Sequence, residues 1–268
     1  MRAAGRPPAP RRISIRYEQG RLPGRLFLAG PGPRPLVMID RDSHSPGSDA
    51  WAHGGAAAHA AGFHWMTFDG PGSVSLGRPE AHLRPDWEAV LSAVLDALRG
   101  HEQVDQRRIG LIATGSAAFG AARALPRERR FAAAVLMPGI VDLSVPFVRA
   151  LPPAAGDALL YGDREGFARE LHLLELFTPG ASDRLRSLVR GFGPERAPLF
   201  DLYGSVLRFR LGSQPEPVST PVLVCRRPGE RRWPGQAERL LTLLDGPVAQ
   251  IAARAGDGRI AAWLRRVL

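Results

Sequence analysis

The 268-residue sequence carries a formal net charge of +10, with 36 basic and 26 acidic residues, and 44% of its residues are hydrophobic. This length suits one α/β domain with an insertion, and this apolar fraction suffices for a large core. Every basic residue is an arginine, a bias typical of GC-rich genomes, and the arginines are interleaved with acidic residues. We therefore expect no nucleic-acid partner in spite of the charge.

The cysteine, histidine and apolar patterns exclude several other classes of protein. Cys225 is the only cysteine, so no intrachain disulfide can form and the cytoplasm is the expected compartment. No stretch of about 18 apolar residues predicts a membrane span, and the N-terminus lacks the apolar segment of a secretory signal. The seven histidines are dispersed and no CxxC or HExxH motif occurs, so we expect neither a metal site nor a cofactor.

Predicted strands and helices alternate over most of the chain. Residues 1–12 are rich in Pro, Arg and Gly and are expected to be disordered. The segments predicted as strands are 12–17, 24–28, 36–39, 64–68, 108–112, 132–137, 222–225 and 248–252, with a hairpin turn over 20–23. The segments predicted as helices are 49–61, 86–98, 117–125, 236–244 and 260–267. This alternation predicts an α/β fold with a mostly parallel, doubly wound sheet.

Residues 143–217 interrupt the alternation. Helical periodicity is seen over 167–177, 183–189 and, more weakly, 199–211, with no clear strand between these segments. A helical block inserted late in such a sheet is expected to cover the carboxyl ends of the strands, where ligands bind. We therefore predict a core formed by residues 13–142 and 218–268 and a helical cap formed by residues 143–217.

Residues 108–124 have the layout of a nucleophile elbow, in which a strand, a sharp turn and a small-residue helix follow one another as G-x-S-x-G. Arg108–Ile112 supplies the strand and Ala117–Ala124 supplies the helix. With these flanks in register, the nucleophile position falls on Gly115, and Ser116 stands one residue later. The offset predicts that the usual nucleophile is lost, unless a one-residue bulge returns Ser116 to the turn.

Four segments, 20–26, 68–72, 84–109 and 130–142, together resemble the α/β-hydrolase superfamily over about residues 13–268. They are most similar to the branch that contains the fermentation-respiration switch protein, the pseudooxynicotine-type C–C hydrolases and the fungal polyketide-shortening hydrolases. The resemblance implies an α/β-hydrolase fold and a serine–histidine–acid triad. Members of this branch often carry a helical region before the sheet, so part of the lid is expected to be missing here.

The triad implied by the resemblance is not matched by the residues present. The turn that offers a backbone N–H to an oxyanion in the family contains Asp40, Asp42 and His44 here, and carboxylates would repel an oxyanion. Glu230 is the one candidate for the acid, and residues 253–258, where the histidine is expected, contain none. A serine needs an adjacent base to act at neutral pH, so the resemblance predicts a degenerate triad.

Ten residues at the carboxyl ends of the predicted strands are the candidate site. The candidate catalytic residues are Asp40, Asp42, His44 and Ser116, and the candidate substrate-binding residues are Arg41, Asp69, Thr114, Gly115, Asp142 and Glu230. Asp40 or Asp42 paired with His44 is expected to transfer protons, with Arg41 holding an anion or enolate. Structural roles are the alternative: Asp69 bracing its turn, Asp142 capping the first cap segment, and Thr114 and Ser116 capping a helix.

Three functions remain open at this point. The first is a non-hydrolytic enzyme of bacterial specialised metabolism, which cyclises, dehydrates or rearranges a hydrophobic, polyketide-like intermediate. The second is a serine hydrolase in which Ser116 is activated by a relocated base such as His44. The third is a non-catalytic protein that binds a small molecule or a partner, through a face that could also form a homodimer.

Overall fold

The computed structural model describes residues 6–41, 50–73 and 82–268, and its main feature is an eight-stranded sheet. The strands of the chain are Arg11–Tyr17 (β1), Gly20–Phe27 (β2), Arg34–Asp40 (β3), His64–Phe68 (β4), Val104–Thr114 (β5), Ala133–Met137 (β6), Glu216–Pro217 (β7), Val222–Arg226 (β8), Leu244–Asp245 (β9) and Val248–Ala252 (β10). The large sheet has the order β1-β2-β4-β3-β5-β6-β8-β10, and β7 pairs with β9. Only the β1–β2 and β2–β4 pairs of the large sheet are antiparallel.

Helices cover both faces of this sheet, which confirms the predicted α/β class. The helices are Ala56–Ala60 (α1), which follows a π-helical turn at Trp51–Gly55, Trp87–Leu98 (α2), Ser116–Ala124 (α3), Val145–Val148 (α4), Pro153–Tyr161 (α5), Arg164–Phe177 (α6), Ala181–Leu188 (α7), Leu199–Val206 (α8), Gln236–Leu243 (α9) and Gly258–Val267 (α10). One core cluster joins α2, α3 and α9 to the sheet, and another joins α1 and α10 to its opposite face. No helix within the described ranges is long and apolar enough to cross a membrane.

The predicted hairpin turn over 20–23 was wrong, because strand β2 already begins at Gly20. Tyr17 pairs with Gly20, so the turn consists of Glu18 and Gln19, and Glu18 has a φ of +48°. Pro23 lies within the strand, opposite Ser14, and its carbonyl accepts a hydrogen bond from Asp69 N at 3.0 Å. The proline and glycine residues of 20–24 therefore lie within strand β2, although such residues are typical of turns.

Helices α4 to α8 form a second apolar cluster that includes Phe147, Leu159, Phe167, Tyr203 and Phe209. Helices α6 and α7 match the predicted segments, begun two or three residues earlier, but α4 and α5 were not predicted. Pro153 starts α5, where a missing N–H costs no helical hydrogen bond. The predicted helix over 199–211 ends at Val206, because Leu211 N bonds to Val141 O at 2.9 Å and returns the chain to the core.

His64 on β4 is a packed histidine, as the sequence predicts for a residue beside Trp65. Its side chain is fully buried, Ala29 N donates to its Nδ1 atom at 3.0 Å, and its Nε2 atom lies 3.2 Å from Gly32 O. These two contacts fit the neutral ring with its proton on Nε2. Burial accordingly lowers the pKa of His64 below its ordinary value of 6.5.

We expect the free energy of unfolding to fall as the pH is lowered through about 6.5, because the unfolded chain then takes up a proton that folded His64 rejects. The loss should level off below the folded pKa. Urea unfolding of the wild type and of His64→Gln between about pH 8 and pH 5 measures this dependence. The amide of glutamine can replace both hydrogen bonds without titrating, so an equally steep pH dependence in the two proteins would contradict the assignment.

Candidate functional site

The turn between strand β5 and helix α3 has the sharp geometry of an elbow, and its one residue is Gly115. Gly115 has φ +61° and ψ −135°, a conformation that a side chain disfavours, and its N–H donates to Met137 O at 2.9 Å. Ser116 is the first residue of α3. The elbow register therefore agrees with the sequence prediction, and no one-residue bulge returns Ser116 to the turn.

A narrow crevice with room for about one water molecule lies over this elbow, between the sheet and the apolar cluster of α4 to α8. Its walls are mostly apolar, and three polar side chains, Arg41, Arg84 and Ser116, contribute to the lining. The remaining lining residues are Leu83, Trp87, Ala117, Phe119, Gly120, Leu143 and Phe209. Ser116 is 9% exposed. The composition of this lining, apolar with a few polar groups, is typical of sites for hydrophobic ligands, but such a ligand requires the crevice to widen.

Arg41 and Asp69 form a buried ion pair at the base of the crevice. The guanidinium of Arg41, which directly follows β3, donates from Nη2 to Asp69 Oδ1, and both side chains are no more than 3% exposed. Arg25 adds a weaker contact, with its Nη2 atom 3.7 Å from Asp69 Oδ2. Asp69 thus braces the turn after β4 and also fixes Arg41, the member of the pair that lines the crevice.

Asp40 is directed to Trp87 behind the crevice wall. The indole Nε1–H of Trp87 donates to Asp40 Oδ2 at 2.6 Å, and both residues are at most 4% exposed. The Trp87 ring lies against Gly70 and Gly120, where an added β-carbon would come within 2.7 Å of the ring. Asp40 therefore supports the wall from behind, whereas Asp42 and His44 lie outside the described residues.

Asp142 and Glu230 are not brought to this crevice. Asp142 accepts from Ser144 N at 2.8 Å, just before α4, and pairs with Arg210 Nε at 2.8 Å, so its contacts are structural ones. Glu230 accepts from Arg232 N at 2.7 Å and Trp233 N at 3.2 Å, and it lines a separate hollow beyond the ends of β8 and β10. Thr114 ends β5 and is 5% exposed.

The usual place of the triad histidine is taken by a loop with a structural role. In this loop, after β10, Asp257 accepts from Arg259 N at 3.0 Å and caps α10. The Arg259 side chain also lowers the pKa of Asp257 by hydrogen bonding. Cys225, which could serve as another nucleophile, is fully buried in β8, and burial raises the pKa of its thiol to about 12.

Two residues of the crevice, Arg84 and Trp87, were not among the sequence-predicted site residues. The Arg84 guanidinium bonds to both carboxylate oxygens of Asp86 and thereby lowers the pKa of Asp86. The sequence predicts a helix start at Pro85-Asp86, a place in the family resemblance for residues 84–88, and a core position for Trp87. The indole N–H at the start of a buried helix was the signal that pointed to a polar partner.

Among the described residues, no group of three or more His, Cys, Asp or Glu side chains could hold a metal ion.

No protein-family model matches the chain, but curated proteins and solved structures do. The chain is 34% identical over 144 residues to the hydrolase LUC6 of a Fusarium species, covering 50% of this chain and 34% of that protein. It is 30% identical over 130 residues to the hydrolyase ccsE of Aspergillus clavatus, covering 44% and 30% respectively. The chain thus spans about a third of the length of these relatives.

Solved structures match nearly the whole chain at low identity. The 2,6-dihydroxy-pseudo-oxynicotine hydrolase superposes with a TM-score of 0.71 at 18% identity, covering 98% of this chain and 68% of that one. The α/β hydrolase GrgF of a Penicillium species superposes with a TM-score of 0.61 at 12% identity, covering 97% and 99%. Together with the sheet order and the elbow, these superpositions show that the chain has the α/β-hydrolase fold.

Proposed function

We propose that this chain is a non-hydrolytic enzyme that dehydrates or cyclises a hydrophobic, polyketide-like carbonyl compound by acid–base chemistry. The observation that carries the proposal is Gly115, which occupies the elbow turn and has no side chain to form an acyl-enzyme. Arg41 and Ser116 both line the same mostly apolar crevice. A substrate therefore meets a cation and a hydrogen-bonding group, but no nucleophile in the turn.

Arg41 is suited to the carbonyl oxygen of such a substrate. Its ion pair with Asp69 holds it in place before substrate arrives, so little reorganisation is needed when enolate charge develops beside it. We assign proton transfer to Asp42 and His44, which follow Arg41 closely in the chain. In a dehydration, the base removes the proton α to the carbonyl, an enolate forms against Arg41, and the β-hydroxyl leaves as water after it receives a proton.

A mass balance distinguishes this proposal from hydrolysis. The purified protein is incubated with a phenyl-substituted β-hydroxy ketone and, separately, with p-nitrophenyl octanoate. The masses of the products are then determined by mass spectrometry. We expect loss of one water from the ketone and no hydrolysis of the ester. His44→Ala or Asp42→Ala should slow the dehydration by about 10²-fold or more, the usual contribution of a general acid or base. Undiminished dehydration in both variants would remove these residues from the mechanism.

A serine hydrolase that uses Ser116 is the second candidate function. Ser116 lines the crevice at the N-terminus of α3, and a helix N-terminus favours negative charge. Several similar proteins are also named hydrolases. Treatment with a fluorophosphonate probe tests this candidate, with Ser116→Ala and the exposed Ser187→Ala as matched variants. Labelling and ester cleavage that disappear in Ser116→Ala alone would establish the hydrolase and overturn the non-hydrolytic proposal.

A further inference from the structure

The outer face of the β1–β2 hairpin carries four arginines, Arg12, Arg16, Arg21 and Arg25, which we term the arginine ladder. Burial alternates along both strands, so Ile13, Ile15 and Leu22 are buried while Arg12, Arg16 and Arg21 are exposed. The strand register places Arg12 directly opposite Arg25 and Arg16 directly opposite Arg21. The ladder therefore consists of two pairs of like charges at the edge of the large sheet.

These pairs are an unfavourable arrangement for the isolated hairpin. Side chains directly opposite each other in an antiparallel pair lie about 5 Å apart, and like charges there are destabilising. Among the described residues, Arg25 has a carboxylate within ion-pair distance, Asp69 at 3.7 Å, but that carboxylate already binds Arg41. The other three arginines form no ion pair with the described part of the chain, and Arg21 instead donates to Ser14 Oγ at 3.1 Å. Much of the positive charge is thus left for an external anion.

We propose that the arginine ladder is a docking surface for an acidic α-helix of a partner protein. The two pairs are four residues apart along β1, which corresponds to about 13 Å at the strand rise. Two full turns of an α-helix, about 11 Å, come within about 2 Å of this separation. A helix that presents carboxylates two turns apart can therefore place one acidic group against each pair of arginines.

The same face is less suited to a nucleic acid. Ser14 and Pro23 separate the two pairs, so the positive charge is not continuous along the hairpin. Proteins that bind single strands combine such charge with exposed aromatic side chains on which bases stack. The exposed residues of this face are arginine, serine and proline, and the aromatic Tyr17 lies on the opposite face of β1, packed against the core. Spacing and composition together favour an acidic helix.

Three labelled probes of equal charge test the proposal by fluorescence anisotropy with the full chain. They are a helical peptide with glutamate pairs two turns apart, a peptide of the same composition with evenly spaced glutamates, and a single-stranded oligonucleotide. We expect the first peptide to bind with the highest affinity. The double variant Arg12→Thr/Arg16→Thr should raise the Kd for this peptide by about tenfold or more. This variant should also raise the melting temperature, because it removes one charge from each opposed pair. Arg265→Ser/Arg266→Ser, at two exposed arginines of α10, is the matched control and should bind as the wild type does.

Several results would overturn the proposal. Equal binding of all three probes, or equal weakening by both double variants, would mean that only the net charge of the protein matters. Tighter binding of the oligonucleotide would assign the ladder to nucleic acid. Aggregation of Arg12→Thr/Arg16→Thr with unchanged peptide binding would mean that the arginines only protect an edge strand from pairing with other chains.

Discussion

Replacement of Trp87 by alanine is expected to lower the free energy of unfolding by about 3–5 kcal/mol, the usual cost of removing a buried tryptophan. Trp87 is 4% exposed and packs against Phe68, Gly70 and Gly120. Its loss also leaves the buried carboxylate of Asp40 without the indole donor at 2.6 Å. Urea unfolding followed by circular dichroism measures the change.

Trp87→Phe separates packing from hydrogen bonding, because it keeps an aromatic ring and removes the N–H. We expect the free energy of unfolding of this variant to fall by about 1.5–3 kcal/mol, the contribution of a hydrogen bond to a charged group. This loss is smaller than the one expected for Trp87→Ala. A loss in Trp87→Phe of no more than a few tenths of a kcal/mol would contradict an energetic role for the bond to Asp40.

Gly120→Ala tests the close contact with the same ring. Alanine favours helices over glycine by about 1 kcal/mol, so an unconstrained position in α3 would be stabilised. At Gly120, however, the new β-carbon would lie 2.7 Å from Trp87 Cγ, so the ring or the helix must move. We therefore expect Gly120→Ala to be destabilising, and a higher melting temperature than that of the wild type would show that α3 and Trp87 are not tightly packed.

The helices and strands that the sequence predicted correctly have a clear periodicity of apolar residues, and this periodicity determines which of their side chains are buried. The helical face of Trp87, Val90, Leu91, Val94, Leu95 and Leu98 is buried throughout. The strand β10 was predicted with the bounds that the structure has. The hairpin turn was placed two residues too late, and helix α5 was not predicted. Pro23 and Pro153 both look like breaks, yet one lies in a strand and the other starts a helix.

The sequence predicts the position of a site residue where neighbouring residues determine it. It does not predict that position where contacts between distant parts of the chain determine it. The elbow register at Gly115 follows from a strand and a small-residue helix on either side of it. By contrast, Asp40 was expected in the crevice, but it bonds to a residue 47 positions later in the chain. Arg41 and Asp69 are likewise 28 positions apart, and no local pattern links them. Only the folded sheet shows that Arg41 lines the crevice while Asp40 and Asp69 stand behind it.

The buried Arg41–Asp69 pair should show the largest coupling between two substitutions. Arg41→Met and Asp69→Leu are each expected to lower the free energy of unfolding by about 3–5 kcal/mol, because each removes one partner of a buried ion pair. The double variant should regain most of this loss, since two apolar side chains of similar volume need no charge compensation. Urea unfolding of the four proteins completes the cycle.

Arg164→Met, which breaks the exposed pair of Arg164 with Asp201, is the control and should cost much less than either buried substitution. The double variant Arg41→Met/Asp69→Leu also separates stability from catalysis. If Arg41 stabilises an enolate, this variant folds but does not dehydrate the β-hydroxy ketone, because an apolar side chain cannot hold the developing negative charge. A double variant as unstable as the sum of the two single variants would show that the charges are not coupled. A stable, fully active one would show that Arg41 is not needed for the reaction.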